Sequence, residues 1–246
     1  MILKMTQAII LAAGKGTRLL PLTEECPKTL LELKGKAILH HILDKIVENK
    51  VDKIIIVIGH YGEKIKLAVG NNYKGIPITY IENLLYKKTN SAYSLWLTKD
   101  LASNDFVVIN SDTLFSKDIL KYLIDSPYEI TLAIDDTLRG ELSDDAMKVT
   151  IINGLIKDAS KKIPSAKTHG DAIGLYRFKG EGVKHLYASL RRLVENNILD
   201  QLFTKAVKDL IPHVNVYPIS TRGLPWIEID DMKDLKRAEE LVNNIR

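Results

Sequence analysis

The chain has 246 residues, 46% of them hydrophobic, and an excess of four positive charges spread without a polybasic block. That is ample for one large α/β domain or two small ones, and it excludes a disordered chain. The charge pattern calls for no nucleic acid, and the lone Cys26 excludes an internal disulfide or a multi-cysteine metal site and suits a reducing interior. The amino-terminal MILKMTQAIILAAG is broken by Lys4, Thr6 and Gln7 and runs straight into glycines, so it reads as a buried first strand rather than a signal sequence. No apolar run reaches the ~18 residues that a membrane span needs. A cytoplasmic protein is the expectation.

Gln7 to Ala12, Lys53 to Ile58 and Asp105 to Ile109 are short, nearly continuous apolar runs, the mark of strands buried on both faces. Between them, Ile38 to Val47 carries apolar residues at 38, 39, 42, 43, 46 and 47, and Glu63 to Val69 follows a Gly-punctuated turn; both read as helices. A strand over Ile76 to Ile81 precedes a helix that starts near Asn90 or Ser91, whose side chains suit an N-cap. The first 110 or so residues thus form a βαβαβα unit with a parallel sheet. Ser116 caps a helix to Ile124, and Glu129 to Ile134 is a strand. Asn153-Gly154 between two β-branched runs, Met147 to Ile152 and Leu155 to Ala159, predicts an antiparallel hairpin. Ala172 to Phe178 is a strand, helices follow near 181–195 and 200–209, and Asn215 to Ser220 and Trp226 to Ile229 are late strands. Asp231 with Asp234 predicts a capping box that opens an amphipathic helix. No linker divides the chain, so one domain over 1–246 is expected, its second half building a pocket over the first.

The most informative segment is LAAGKGTRLLPLTEECPK, Leu11 to Lys28, where a buried strand enters a loop with two glycines, an arginine and a later lysine. Gly14 and Gly16 let backbone N–H groups approach phosphate oxygens, and Arg18 and Lys28 add positive charge. No third glycine completes a dinucleotide turn and no Lys-Ser or Lys-Thr pair follows as in a P-loop. A different phosphate-binding family is required.

This loop, the segment NSAYSLWL, the strand end VVINSDTLF and the late WIEIDDMKDL, in that order, resemble the nucleotidyltransferases that activate sugar and alcohol phosphates, and most of all the cytidylyltransferases that act on phosphocholine or inositol phosphate. The resemblance implies a Rossmann-like, mixed but mainly parallel sheet flanked by helices, with a nucleotide-binding half over 1–115 and an acceptor-binding half over 116–246. It assigns Leu11, Ala12, Ala13, Gly14, Lys15, Gly16, Thr17 and Arg18 to the nucleotide and Lys28 to the reacting phosphates. Asn90, Ser91 and Ser94 fall where relatives face the base; the Gly-rich stretch of UTP- or dTTP-preferring relatives is missing there, which favours CTP.

Asp112 follows a buried strand and Asp230 ends WIEID. Each alone is more often a cap or turn former; paired by the family pattern they are expected to hold Mg²⁺, the expected cofactor. Asp231 takes the role of N-cap. Lys148, Lys161, Asp171 and Trp226 are the acceptor candidates, the lysines for its phosphate. Leu202 and Phe203 replace aromatic positions of the choline-type relative, so a polyol or sugar phosphate is preferred over a choline cage. The six histidines show no metal-ligand spacing. A glycosyltransferase with an Asp-x-Asp strand end is disfavoured because Asn110 stands at the first position, and a non-catalytic nucleotide-binding homologue is disfavoured because Arg18, Lys28, Asp112 and Asp230 are all present.

Overall fold

The computed structural model of the protein describes residues 6–137 and 142–245. The chain opens with β1 (Gln7–Ala12), a two-stranded hairpin of β2 (Glu32–Leu33) and β3 (Lys36–Ala37), and α1 (Ile38–Glu48). It continues through β4 (Lys53–Ile58), α2 (Gly62–Val69), β5 (Asn72–Tyr73), β6 (Ile76–Glu82) and α3 (Ser91–Trp96). Then come β7 (Asp105–Asn110), β8 (Thr113–Phe115), α4 (Lys117–Asp125), β9 (Ile130–Asp135), β10 (Lys148–Ile152) and β11 (Leu155–Ala159). The remainder holds β12 (Gly170–Lys179), α5 (Glu181–Glu195), α6 (Phe203–Leu210), β13 (Tyr217–Ser220), β14 (Trp226–Glu228) and α7 (Met232–Leu241).

The main sheet runs β11-β10-β12-β7-β1-β4-β6-β5, with β9 pairing β12 and β13. β1 lies at its centre, parallel to β4 and to β7, and β6 continues the parallel set beside β4. β12 closes against β7 antiparallel, and the second half of the chain adds mixed pairings beyond it. The near-continuous apolar strands have the use their composition implies: along β1, Ala8 and Ile10 face the core under α1 and α4, while Ile9 faces the core under α3, α5 and α6. The hairpin at Asn153-Gly154 forms with both residues at positive φ, 52° and 74°, the left-handed geometry that a tight two-residue hairpin requires.

This architecture departs from the expectations above at element boundaries and in its shortest strands: the strand expected from Asn215 begins at Tyr217, and the one expected over Ala172 to Phe178 spans Gly170–Lys179. The helix expected from residue 200 begins at Phe203, one strand boundary moves from 129 to Ile130, and the short strands β2, β3, β5 and β8 have no counterpart in the sequence reading. Two or three residues are too few to display a period, so only tertiary pairing defines such strands.

β12 also carries the most deeply buried charge. The fully buried Arg177 donates from Nε and Nη2 to the two carboxylate oxygens of Asp105 on β7, 2.8 Å each, and from Nη1 to the Ser126 carbonyl beyond α4 at 2.6 Å. Its planar fork suits this three-way tie. Arg177→Leu is expected to cost about 3–5 kcal/mol in urea unfolding, because it strands the Asp105 carboxylate; a loss below about 1 kcal/mol, typical of an exposed pair, would show that the tie does not brace the sheet.

Near the start of β12, Asp171 is 9% exposed and faces Asp135 across the β12:β9 pairing. Burial, reinforced by the Asp135 charge and opposed by a backbone hydrogen bond to Met147, pushes the Asp171 carboxyl from 3.8 up to about 6. The folded protein therefore keeps a proton that the unfolded chain releases, and this group lowers stability as pH rises from 3.8 to about 6. Asp171→Asn is expected to gain on the wild type across that window, by up to about 3 kcal/mol at its upper end. Thermal midpoints at several pH values check this; a constant difference would contradict it.

Candidate active site

β1 and β7 end side by side at the centre of the sheet, and the chain departs from β1 toward β4 on one side and returns to β7 on the other. The crevice outside such carboxyl ends, where the strand order reverses, is where α/β sheets take ligands. Here Ala13 and Gly14 leave β1, and Ser111 and Asp112 leave β7. Gly16 stands at φ 64°, and a Cβ there would lie 2.9 Å from the Lys28 Cβ. The loop thus folds tightly over the turn that holds Lys28, tied by the Thr23 hydroxyl donating to the Gly16 carbonyl at 2.8 Å.

Asp230 reaches Asp112 through the two-stranded ladder of β8 and β14. Glu228 pairs with Thr113, and the Ile229 N–H donates to the Asp112 carbonyl at 2.9 Å. The expected capping box forms at α7: Asp231 Oδ1 accepts from the Asp234 N–H, and Asp234 Oδ2 accepts from the Asp231 N–H and, at 3.1 Å, from that of Asp230. The acidic strand end is therefore fixed from both directions.

Lys28 Nζ sits between the carboxylates, 2.8 Å from Asp112 Oδ2 and 3.1 Å from Asp230 Oδ1, although Lys28 and Asp230 are 202 residues apart. Arg18 bridges Asp230 and Asp145 at 2.8 Å each, and Asp145 also meets Lys161 at 3.3 Å. Burial acts to lower the Lys28 pKa, but Asp112 and Asp230 outweigh it and hold the ammonium charged; Asp230 and Asp145 do the same for Arg18. Glu228 completes the group. Carboxylate oxygens of Asp112, Glu228 and Asp230 lie within 4.8 Å of one another. Burial, then the Asp112 and Asp230 charges, push the Glu228 carboxyl up to about 8. Asp112 Oδ1 is buried with no hydrogen-bond partner. Crowded hard oxygens with an unused lone pair are the donor set of a divalent cation such as Mg²⁺.

These groups line one cavity of about 370 Å³. Of the residues expected at the nucleotide, Leu11, Ala12, Ala13, Gly14, Gly16, Thr17, Arg18, Asn90, Ser91 and Ser94 lie on its wall, together with Lys28, Asp112, Asp230 and Lys161. Lys15 is exposed and outside it. Lys148, Asp171 and Trp226, expected at the acceptor, are also outside the lining. Lys148 is buried and donates to the Lys161 carbonyl, Asp171 lies opposite it across β10:β12, and the Trp226 indole N–H donates to Asp135 at 2.8 Å. Met147 and Ala172, the chain neighbours of Lys148 and Asp171, do line the cavity. The sequence reading missed Glu228, Asn83, Asp145 and Tyr176 on the wall. Glu228 had a legible signal: in WIEID, residues two apart share a strand face, so Glu228 and Asp230 point the same way.

Among the described residues, no helix is long and apolar enough to cross a membrane. The sequence pattern of the nucleotidyl transferase family matches residues 7–135. The bifunctional protein GlmU of Methanococcus maripaludis is 33% identical over 234 residues, covering 94% of this chain and 53% of that protein, so the chain spans about half the length of this relative. The UTP–glucose-1-phosphate uridylyltransferase AglF of Haloferax volcanii is 32% identical over 175 residues, 70% of this chain and 71% of its own. The solved CTP:phosphocholine cytidylyltransferase of Streptococcus pneumoniae superposes with a TM-score of 0.78 at 25% identity, over 97% of this chain and 99% of that one. The sheet order, the cation-carboxylate cavity at the ends of β1 and β7, and these likenesses agree: the chain belongs to the nucleotidyl transferase family and has its nucleotide-diphospho-sugar transferase fold.

Proposed function

We propose that the protein transfers a nucleoside monophosphate, CMP in preference to others, from its triphosphate to a phosphorylated polyol, sugar or amino alcohol. The observation that carries this reading is the Lys28 ammonium held between Asp112 and Asp230 in the cavity that also contains Arg18. A phosphate oxygen of the acceptor forms a bond to the α-phosphorus; the bond from that phosphorus to the β-phosphate bridging oxygen breaks, and pyrophosphate leaves with the electron pair. Two polyanions must meet for this, and the chain supplies fixed cations where they do.

Lys28 is a compact point charge suited to the oxygens shared by both reactants, and Arg18 grips one phosphate through its fork. Both cations are held by carboxylates, Lys28 by Asp112 and Asp230 and Arg18 by Asp145 and Asp230. Asp112 and Asp230, with Glu228 beside them, would hold Mg²⁺, which supplies charge neutralisation to the triphosphate and the departing pyrophosphate. Lys161, which shares Asp145 with Arg18 on the cavity wall, suits the acceptor phosphate. Short polar side chains in place of a Gly-rich stretch at 90–94, and the likeness to a solved CTP-using protein, support CTP. The likeness to a UTP-using relative makes UTP the second reading.

Asp112→Ala and Asp230→Ala are each expected to abolish magnesium-dependent pyrophosphate release with the circular dichroism spectrum retained; full activity in either would remove the metal proposal. Lys28→Met is expected to lower kcat/KM by about 10²–10³-fold. A matrix of CTP, UTP, dTTP, ATP and GTP against phosphocholine, inositol 1-phosphate, glucose 1-phosphate and 2-aminoethylphosphonate identifies the substrates. Silence in every combination would favour a non-catalytic homologue.

A further inference from the structure

At one end of the cavity, the hydrogen bonds of three wall residues form a chain whose direction the backbone dictates. The Leu85 N–H can only donate, and it donates to Asn83 Oδ1 at 3.0 Å. The Asn83 carboxamide is thereby oriented, and its Nδ2 must face Thr89 Oγ1 and Ser94 Oγ, each at 3.0 Å. Thr89 passes its own hydrogen to the Leu85 carbonyl at 3.0 Å, which agrees with its accepting from Asn83. Ser94 Oγ is likewise an acceptor toward Asn83. Its own hydrogen has no acceptor among the described residues, although Ser94 is 3% exposed and Asn83 1%.

Ser91, three residues earlier on α3, repeats the arrangement. Its Oγ accepts from the Phe203 N–H at 2.9 Å, so its hydroxyl hydrogen is also left over. Residues three apart on a helix share a face. Both hydroxyls line the cavity, and each is polarised from behind by a protein N–H so that it offers a donor to whatever lies in front. A buried donor without a partner costs free energy that a ligand acceptor recovers.

We propose that Asn83 is a positioning residue that fixes Ser94 as a donor, and that Ser94, with Ser91, selects a base edge carrying two adjacent acceptors. The inference rests on the reading that this cavity binds a nucleoside triphosphate with its base against α3. Cytosine carries such an edge in O2 and N3. Uracil and thymine carry O2 followed by an N3–H donor, which strands the Ser94 hydrogen in a buried position. Between cytosine and uracil, discrimination then arises from hydrogen-bond direction and not from size, because these two bases have nearly the same shape.

The test is the ratio of kcat/KM for CTP to that for UTP in the wild type and two variants, each checked for an unchanged thermal midpoint. Ser94→Ala is expected to lower the ratio about 10- to 100-fold, the effect falling on CTP. Asn83→Asp reverses the chain: the carboxylate accepts from the Leu85 N–H and from the Ser94 hydroxyl, so Ser94 Oγ is free to accept an N3–H, and the ratio is expected to move toward UTP. A structural role alone would depress both nucleotides equally, so an unchanged ratio in both folded variants overturns the inference while CTP preference stands. A wild type that prefers UTP sinks the CTP reading and this inference together, and one that turns over UTP less in Asn83→Asp than in the wild type refutes the direction argued for Asn83.

Discussion

The site depends on a three-residue ladder. Among the described residues β8 and β14 pair with no other strand, yet their pairing sets the distance between Asp112 and Asp230. Its register is locked at both ends, by the Ile229 N–H on the Asp112 carbonyl and by the Ser116 N–H and hydroxyl on the Pro225 carbonyl. Leu114, Phe115, Ile227 and Ile229 seat the ladder in the core beneath α1 and α7. A slip of one residue would turn the acidic face of β14 into that core, and a slip of two would draw Asp230 away from Lys28. Apolar burial next to the carboxylates therefore holds the charged geometry in place.

The charges that this ladder gathers are mutually satisfied only in part. Lys28 and Arg18 are each shared between two carboxylates, and Glu228 beside them meets burial and two like charges. Three carboxyl groups share one partly buried ammonium and one half-exposed guanidinium, so Glu228, pushed up to about 8, keeps a proton near neutral pH that additional positive charge would displace. The same pairing keeps both cations charged and oriented. Preorganisation of this kind removes the reorganisation that water would otherwise require at the moment of reaction.

Much of this was legible in the sequence, for reasons that differ by element. The strands over 7–12, 53–58 and 105–110 and helix α1 announce themselves through long apolar patterns, and Asn153-Gly154 through its turn chemistry. The glycine loop, Lys28 and the two aspartates stand out because their chemistry is unusual beside a buried strand. β8 was not legible: three residues show no period, and its partner lies more than a hundred residues away. The acceptor side resisted for a related reason. Lys148, Asp171 and Trp226 are polar or amphipathic side chains on strands, and which of two faces meets the cavity depends on register; the structure turns them toward Asp135 and Lys161 instead. Asn83 gave no signal because its role lies wholly in the direction of hydrogen bonds.

Gly174 has a further bearing on how this protein would accommodate change. It interrupts β12 at φ 82° where the pairing with β9 shifts, and a Cβ there would lie 2.8 Å from the Asn110 amide and 2.9 Å from the Thr113 hydroxyl. Those two residues flank the segment that presents Asp112, so a side chain at 174 would crowd both of them on a backbone conformation that L residues rarely adopt. Reshaping of the cavity by substitution is therefore costly at position 174 and freer at Leu202 and Thr204, which line the same cavity outside the close contacts of Gly174.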